Sequence, residues 1–239
     1  MEDRIAKIVS EVMVPGQANE PEPDNPKARL ARMIDHTILK PEATESDVRR
    51  LCREALHYHF ATAVVNTCWV PLCAELLAGS DVKVCTIVSF PLGADSTAIK
   101  VAQAARSLKD GAHELDMVAN IGYLKMGRFD LAEEDICQVV KAAEGVPVKV
   151  IIETCLLTDE EKVKACLIAK RAGAAFVKTS TGFNQAGAAI ADVALMRRVV
   201  GPDMGVKASG GIRSFDQAMQ LVEAGANRIG TSASVAIVS

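Results

Sequence analysis

The feature of this sequence that most restricts its fold is an eightfold alternation between short apolar segments and helical patterns. The apolar segments lie at residues 33–39, 61–66, 82–90, 114–120, 148–153, 175–180, 206–210 and 228–232. A helical pattern follows each segment, and the last one is only a stub before Ser239. Because strands that alternate with helices form parallel sheets with helical crossovers, the alternation predicts an α/β fold.

Two arrangements of eight strand–helix units fit this alternation, namely a closed (β/α)8 TIM barrel and a doubly wound open sheet. An open sheet that binds a dinucleotide needs a glycine-rich turn after its first strand, and none follows residues 33–39. The glycines come instead after the sixth, seventh and eighth segments, and a length of 239 residues suits one barrel. The sequence therefore predicts a single-domain barrel over residues 28–239.

Residues 1–27 do not fit the alternation. Ile5, Ile8, Val9 and Val12 have helical spacing and predict a short amphipathic helix. Residues 15–27 are rich in Pro, Glu and Asn, which predicts an irregular linker. We expect this N-terminal arm to pack on the outside of the barrel or on a neighbouring subunit.

The composition limits the partners and the compartment. The net charge is −3 and there is no basic run, which argues against a nucleic-acid partner. No apolar run is long enough to cross a bilayer, and the N-terminus lacks a secretory pattern. The seven cysteines form no CxxC pair, and no metal-ligand spacing is present. We therefore expect a cytoplasmic protein with reduced thiols and without a metal, a membrane or a nucleic-acid partner.

Polar residues within or after the predicted strands are the candidates for a site, because a barrel of this type has its active site at the carboxyl ends of its strands. They are Asp35, Thr37, Asn66, Asp116, Lys149, Glu153, Lys178 and Lys207. Lys178 and Lys207 are the most informative, since burying an ammonium group is costly. For either lysine alone, the alternative is a side chain that extends from the strand end to solvent.

Lys178 and Lys207 lie in the sixth and seventh predicted strands, which are about 4.8 Å apart in a sheet. Two ammonium groups at that range repel, so the pKa of at least one falls towards neutrality. A neutral amine can attack a carbonyl to form an iminium, which serves as an electron sink for breaking or making a carbon–carbon bond. Asp116 is the best acid for the proton transfers; its alternative role is a salt bridge with Lys149 or Lys207, and both roles are compatible.

Glycines after the last strands point to a second part of the site. Gly210 and Gly211 precede a helix capped by Ser214, and Ser232 ends the eighth predicted strand. Loops after strands seven and eight commonly bind phosphate in this fold, and glycine lets backbone N–H groups approach an anion. The alternative for Gly210 and Gly211 is a tight turn without a ligand. Together these features predict a phosphorylated aldehyde or ketone bound by a Schiff-base lysine.

Several sequence runs together resemble the DeoC family of class I aldolases, the deoxyribose-phosphate aldolases. The runs are IDHT (34–37), ELDMVANIGYLK (114–125), VKVIIET (148–154), FVKTSTGF (176–183) and VKASGGIR (206–213). The resemblance covers the chain from Met33 to Ser234. It implies reversible cleavage of 2-deoxy-D-ribose 5-phosphate to acetaldehyde and D-glyceraldehyde 3-phosphate, with no metal or organic cofactor, by a homo-oligomer that is a dimer or a tetramer.

The resemblance also implies roles for individual residues. Lys178 matches the Schiff-base lysine, Lys207 the second lysine that lowers its pKa, and Asp116 the acid that moves protons with a water and a lysine. Gly182, Gly210, Gly211 and Ser232 match the positions that hold the substrate phosphate. Asp35 and Thr179 match polar positions that line the substrate site.

The chain departs from the family pattern at three places. Val64 stands in strand two, where many members have a cysteine associated with aldehyde sensitivity, so we expect better tolerance of acetaldehyde. Phe183 stands where some members have a lysine near the phosphate, so phosphate binding is expected to depend more on backbone donors. Some members have a longer tail with a terminal tyrosine that reaches the site, and its absence before Ser239 bears on the efficiency of proton transfer.

Two rival functions are open on the residues alone. One is a different barrel enzyme for phosphorylated sugars, either another Schiff-base aldolase or an isomerase; borohydride trapping separates the isomerase, which needs no imine. The other is a non-catalytic phosphate-ligand binder. It would leave the two strand lysines and Asp116 without a role, although buried charges are expensive to keep.

Overall fold

The computed structural model describes residues 25–239, and its centre is a closed barrel of eight parallel strands that pair in chain order. The strands are β1 (Ile34–Ile38), β2 (Thr62–Val65), β3 (Lys83–Val88), β4 (Glu114–Val118), β5 (Val148–Ile151), β6 (Phe176–Lys178), β7 (Gly205–Ser209) and β8 (Arg228–Thr231). Asp35 of β1 pairs with Thr62 of β2 on one side and with Gly230 of β8 on the other, which closes the barrel. The predicted (β/α)8 barrel is confirmed.

Helices cover the outside of the barrel. They are α1 (Pro26–Ala31), α2 (Glu45–Tyr58), α3 (Val70–Leu76), α4 (Thr97–Lys109), α5 (Ile121–Lys125), α6 (Phe129–Ala142), α7 (Asp159–Arg171), α8 (Ile190–Val200), α9 (Phe215–Glu223) and α10 (Ser234–Val238). The short helix α5 was not expected from the sequence. Within residues 25–239, no helix combines the length and the apolar character that a membrane span requires.

The start of α1 corrects the predicted extent of the linker. Pro26 and Lys27 were assigned to an irregular segment, but they form the first turn of α1. The Asn25 side chain accepts a hydrogen bond from the backbone N–H of Lys27 at 2.9 Å, and proline is well suited to the first helical position. The helix predicted from Ile5 to Val12 lies outside the described residues.

The sequence before α7 and before α9 has the pattern of a capping box, and the two helix starts differ in the structure. At α7, Thr158 accepts from the backbone of Glu161 and the Glu161 side chain accepts from the backbone of Thr158, so the box is complete. At α9, Ser214 accepts from the backbone of Gln217, but the Gln217 side chain accepts from the backbone of Arg213 instead. The second box is therefore only half formed.

The two faces of the strands have different surroundings. Outward-facing residues such as Val65, Met117 and Val206 pack with the helices in one continuous apolar core. Inward-facing residues divide the barrel interior. On the β1–β3 side, inward side chains form a small apolar cluster. Charged side chains from β1 and from β4 to β8 fill the rest of the interior. The apolar cluster consists of Leu39, Val64, Cys85 and Ile87, with Phe90 packed against it.

Candidate active site

Lys178 is the last residue of β6 and points into the barrel. Its side chain is almost completely buried, with the residue only 4% exposed. The strand register places Lys178 directly opposite Lys207 on β7. Both amines donate to the same oxygen, Oδ2 of Asp116, at 2.7 Å from Lys178 and 2.6 Å from Lys207. The two lysines are therefore close neighbours that share one acceptor.

Asp116 on β4 is the centre of the site. Its second oxygen, Oδ1, accepts from Nζ of Lys149 on β5 at 2.8 Å, so the carboxylate contacts three lysines. Burial by itself raises the pKa of the Asp116 carboxyl, but Lys149, Lys178 and Lys207 outweigh burial and hold that pKa well below its usual range. Both salt bridges considered from the sequence, with Lys149 and with Lys207, are present together with the contact to Lys178.

A second layer of charges lies nearer the amino ends of the strands. Lys149 pairs with Glu114 at 2.6 Å, and Arg228 of β8 pairs with Glu114 at 3.0 Å. Asp35 of β1 accepts from Nε of Arg228 at 2.9 Å and also forms an ion pair with Lys207. Asp35 is completely buried here, so the structure places it beneath Lys207 as an ion-pair partner and not in open space beside a substrate.

We refer to these side chains as the charged cluster: Asp35, Glu114, Asp116, Lys149, Lys178, Lys207 and Arg228. Fully ionised, they carry three negative and four positive charges. Burial disfavours the ammonium form of every lysine, but at Lys149 and Lys207 Asp116 and the other neighbouring acidic groups together outweigh burial and raise the pKa of both. At Lys178 burial wins, assisted by repulsion from Lys207, and the pKa is lowered. Loss of the Lys178 proton makes the cluster electrically neutral.

This balance refines the role expected of Lys207. The sequence prediction attributed the low pKa of Lys178 to the neighbouring charge of Lys207. That charge acts in the expected direction, but burial is the larger cause of the lowered pKa. Lys207 also occupies the Asp116 oxygen that would otherwise belong to Lys178 alone.

Cys85 on β3 is a member of the site that was not among the candidates named from the sequence. Its Sγ lies 3.3 Å from Oδ1 of Asp116 and 3.3 Å from Nζ of Lys149. Burial, with the Asp116 charge, raises the pKa of the Cys85 thiol, so it stays protonated and is a weak nucleophile. In the strand register Cys85 is the neighbour of Val64.

The structure separates the two polar residues that follow Lys178. The Thr179 hydroxyl donates to the Ser209 carbonyl at 3.2 Å and accepts from the Ser209 N–H at 3.1 Å, so it joins β6 to β7 and does not line the interior. Ser180 shares the inward face of Lys178 and is fully buried. Its hydroxyl has no hydrogen-bond partner within residues 25–239, which makes it the free polar group nearest in sequence to Lys178 on that face.

Loops after β6, β7 and β8 meet at the carboxyl end of the barrel. Gly182, Gly210 and Gly211 all have positive φ, at 82°, 89° and 78°. A Cβ on Gly187 would lie 2.1 Å from the Gly210 carbonyl oxygen, so the loops after β6 and β7 are in direct contact. Gly182, Gly211 and Ser232 are exposed there, with backbone N–H groups that an anion can approach.

Apolar side chains border the other side of this mouth. The rings of Phe90 and Phe183 contact each other edge to face, with centroids 5.3 Å apart. Phe90 packs on the apolar cluster, and Phe183 is 52% exposed. Within residues 25–239, no three His, Cys, Asp or Glu side chains are grouped as a metal site would require. The arrangement provides an amine with a lowered pKa, a shared carboxylate and an anion-accessible rim.

Comparison with known proteins gives a consistent result. The model of the DeoC/LacD family of aldolases matches residues 29–238. The deoxyribose-phosphate aldolase of Streptococcus sanguinis is 58% identical over 210 residues, which cover 88% of this chain and 96% of that protein. The deoxyribose-phosphate aldolase of Caldanaerobacter subterraneus is 56% identical over 212 residues, which cover 87% and 92% of the two chains.

A solved structure agrees with the sequence relatives. The deoxyribose phosphate aldolase from Aeropyrum pernix, described as having a unique tetrameric structure, superposes with a TM-score of 0.84. It is 39% identical in sequence, and the match covers 89% of this chain and 90% of that one. With the family model and these relatives spanning the whole barrel, the chain belongs to the DeoC/LacD family of aldolases.

Proposed function

We propose that the protein is a deoxyribose-phosphate aldolase, which cleaves 2-deoxy-D-ribose 5-phosphate reversibly to acetaldehyde and D-glyceraldehyde 3-phosphate. The observation that carries this proposal is the state of Lys178. Among the lysines of the charged cluster, Lys178 alone has a lowered pKa, and it is the most exposed of the three. A neutral amine at the open end of the barrel is what imine formation requires. The names of the relatives supply the sugar.

The reaction proceeds through an imine on Lys178. The neutral amine attacks C1 of the open-chain sugar, and loss of water from the carbinolamine gives a protonated imine. Removal of the C3 hydroxyl proton breaks the C2–C3 bond, and its electrons move into the imine to form an enamine while D-glyceraldehyde 3-phosphate leaves. Protonation of C2 and addition of water to the imine carbon then release acetaldehyde and restore the amine.

Asp116 and Lys207 are proposed to handle the protons. The low pKa of Asp116 keeps it a carboxylate, which holds Lys178 and Lys207 side by side and can accept from a water at the reacting atoms. The raised pKa of Lys207 keeps it protonated, and it shares Oδ2 of Asp116 with Lys178 at 2.6 Å. A water between this pair and the substrate would carry protons to and from the sugar. Asp35 is proposed to hold Lys207 in place from below.

The loops that contain Gly182, Gly210, Gly211 and Ser232 are proposed to bind the substrate phosphate. Their positive-φ glycines leave backbone N–H groups unobstructed, and this rim lies beside Lys178 at the end of β6. Because Phe183 brings no charge to the rim, backbone donors carry most of the binding. Thr179 supports the same region by joining β6 to β7.

We also propose that the protein is a cytoplasmic homo-oligomer, a dimer or a tetramer. The Aeropyrum pernix relative described as tetrameric supports this proposal. Large apolar side chains that are exposed in the single chain, namely Leu92, Ile99 and Met126, also support it, since contact with another subunit would bury them. Light scattering coupled to size-exclusion chromatography measures the state directly, and a monomer at micromolar concentration would contradict it.

The test of the proposed function is trapping of the imine. The protein is mixed with 2-deoxyribose 5-phosphate and sodium borohydride, and intact mass and peptide mapping locate the adduct. We expect one reduced adduct on Lys178, together with release of acetaldehyde when borohydride is omitted. Folded protein that yields no adduct from this sugar or from acetaldehyde would contradict the aldolase and favour an isomerase or a binding protein.

A further inference from the structure

His36 connects the outside of the barrel to the turn that follows β8. It alternates with Asp35 on β1, so its side chain faces away from the charged cluster, and it is buried. Its Nε2 lies 2.8 Å from Oε2 of Glu54 on α2, and its Nδ1 lies 2.8 Å from Oγ of Ser234 at the start of α10. One imidazole thus joins β1 and the helix that follows it to α10 at the other end of the barrel sequence.

A serine, a histidine and a glutamate in hydrogen-bond contact have the composition of a hydrolytic triad. Ser234 is 0% exposed, however, so no substrate can reach its hydroxyl. The hydroxyl has one proton, which it donates either to Nδ1 of His36 or to the Thr231 carbonyl, 3.1 Å away. In both arrangements Oγ is fixed between β1 and the end of β8.

We call residues 231–234 the Ser232 turn. The start of this turn is also fixed, because the Thr231 hydroxyl accepts from the backbone N–H of Ala233 at 2.9 Å and donates to the Ile212 carbonyl at 2.7 Å. Ile212 directly follows Gly210 and Gly211, so this hydrogen bond joins the Ser232 turn to the glycine loop after β7. Two of the three loops assigned to the phosphate, those after β7 and β8, are thus joined to each other by the Thr231 hydroxyl, and His36 anchors the Ser232 turn from the outside of the barrel.

We propose that His36, Ser234 and Glu54 are positioning residues that hold the Ser232 turn in the conformation that accepts the substrate phosphate, an inference that rests on the proposed function. They do not touch the substrate. A turn that is already ordered loses less conformational entropy when the anion binds, so its donors bind the phosphate more tightly. Lys178 lies on β6 and donates to Asp116, so we expect changes at these three residues to affect phosphate binding and not the chemistry at the imine.

The central variant is Ser234→Ala, which removes one hydroxyl from a buried site. The matched control is Ser239→Ala, at an exposed residue just after α10 whose hydroxyl donates to the Val235 carbonyl and lies 3.4 Å from the Tyr58 hydroxyl. Steady-state kinetics are measured with 2-deoxyribose 5-phosphate and with 2-deoxyribose. For Ser234→Ala we expect KM for the phosphorylated sugar to rise about three- to tenfold, the effect of one hydrogen bond, with kcat changed by less than about twofold. The rate constants for 2-deoxyribose and those of the control should stay at wild-type values.

Two further measurements sharpen the test. Inorganic phosphate as a competitive inhibitor should have an inhibition constant raised by the same factor in Ser234→Ala. His36→Leu should resemble Ser234→Ala, and His36→Asn, which keeps a polar atom toward Ser234, should recover part of the loss. If His36→Leu does not fold, Ser234→Ala and inorganic phosphate still decide the question.

The outcomes separate this inference from the proposed function. Equal losses on the phosphorylated and unphosphorylated sugars, or no change in KM, would overturn the positioning role while the aldolase stands. A wild-type protein that neither cleaves the sugar nor forms a borohydride adduct would overturn both.

Discussion

Lys100 and Lys178 are both buried lysines, and they differ in how many partners their carboxylate serves. Lys100 on α4 lies between helices, completely buried, and pairs with Asp135 of α6 at 2.5 Å while donating to the Val118 carbonyl at 3.1 Å. Asp135 serves that single cation and accepts in addition from the Thr97 hydroxyl. Lys178 shares its carboxylate with Lys149 and Lys207.

The difference shows what makes a buried amine reactive. A buried lysine with a carboxylate of its own is a compensated pair whose main effect is on stability. A buried lysine in a cluster with one cation too many gives up its proton most easily, because deprotonation removes the excess charge. The two sites therefore predict opposite responses to the same kind of substitution.

The largest effect is expected at Lys178. Lys178→Met removes the nucleophile and leaves the remaining cluster with three positive and three negative charges, so the barrel should stay folded. Turnover should fall by at least about a thousandfold, and the borohydride adduct should disappear. Circular dichroism and thermal unfolding provide the check on folding. Substantial turnover in this variant would refute the assignment of the nucleophile.

Lys100→Met is the matched substitution at the other site. It leaves Asp135 buried without its cation, and breaking such a pair costs about 3 to 5 kcal/mol of unfolding free energy. We expect a lower urea midpoint together with normal borohydride trapping per folded molecule. Loss of trapping in protein that is still folded would show that Lys100, like Lys178, is needed for imine formation.

Lys207→Leu should reduce kcat by about a hundredfold at neutral pH, because Lys178 then has Oδ2 of Asp116 to itself and no longer faces the Lys207 charge. Both changes favour the ammonium form and raise the pKa of Lys178. Since the neutral amine is the reactive form, the rate of imine formation rises with pH through that pKa, and the rising limb should move to higher pH in the variant. A pH–rate profile with an unshifted limb would contradict this role for Lys207.

The smallest effect is expected at Val64. Val64→Cys places a thiol in the apolar cluster next to Cys85, whose own thiol is deeply buried and has a raised pKa. We expect the variant to lose more activity than the wild type during incubation in concentrated acetaldehyde. Cys85→Ala serves as the comparison, and it should resemble the wild type. Equal losses in the wild type and Val64→Cys would contradict the expectation.

Much of the fold was accessible from sequence because the alternation of strands and helices is a local property. The eight strands follow from runs of apolar residues and their spacing. The short helix α5 was not predicted, because five residues are too few for apolar residues to show a helical period. The first turn of α1 was missed because Pro26 was interpreted as part of a linker, although Asn25 and Pro26 form a helix start.

The site was accessible only in part. Lys178, Lys207 and Asp116 stand out as charges within apolar strands, but Glu114 and Arg228 are the first residues of their strands and look like ordinary strand-end charges. Period-two alternation places Glu114 on the same face as Asp116, so this signal was available. The same alternation places Thr179 on the face opposite to Lys178. The contacts of Cys85 come from the closure of the barrel, which no local pattern encodes.

The acids and the bases of the charged cluster come from different halves of the chain. All three of its acids lie on β1 and β4, and all four of its bases lie on β5 to β8. Cut between β4 and β5, the chain would give a half with an acidic interior and a half with a basic interior. Neither half can neutralise its own buried charges, but each supplies the other's counter-ions. Closure of the barrel and assembly of the reactive amine are therefore a single event.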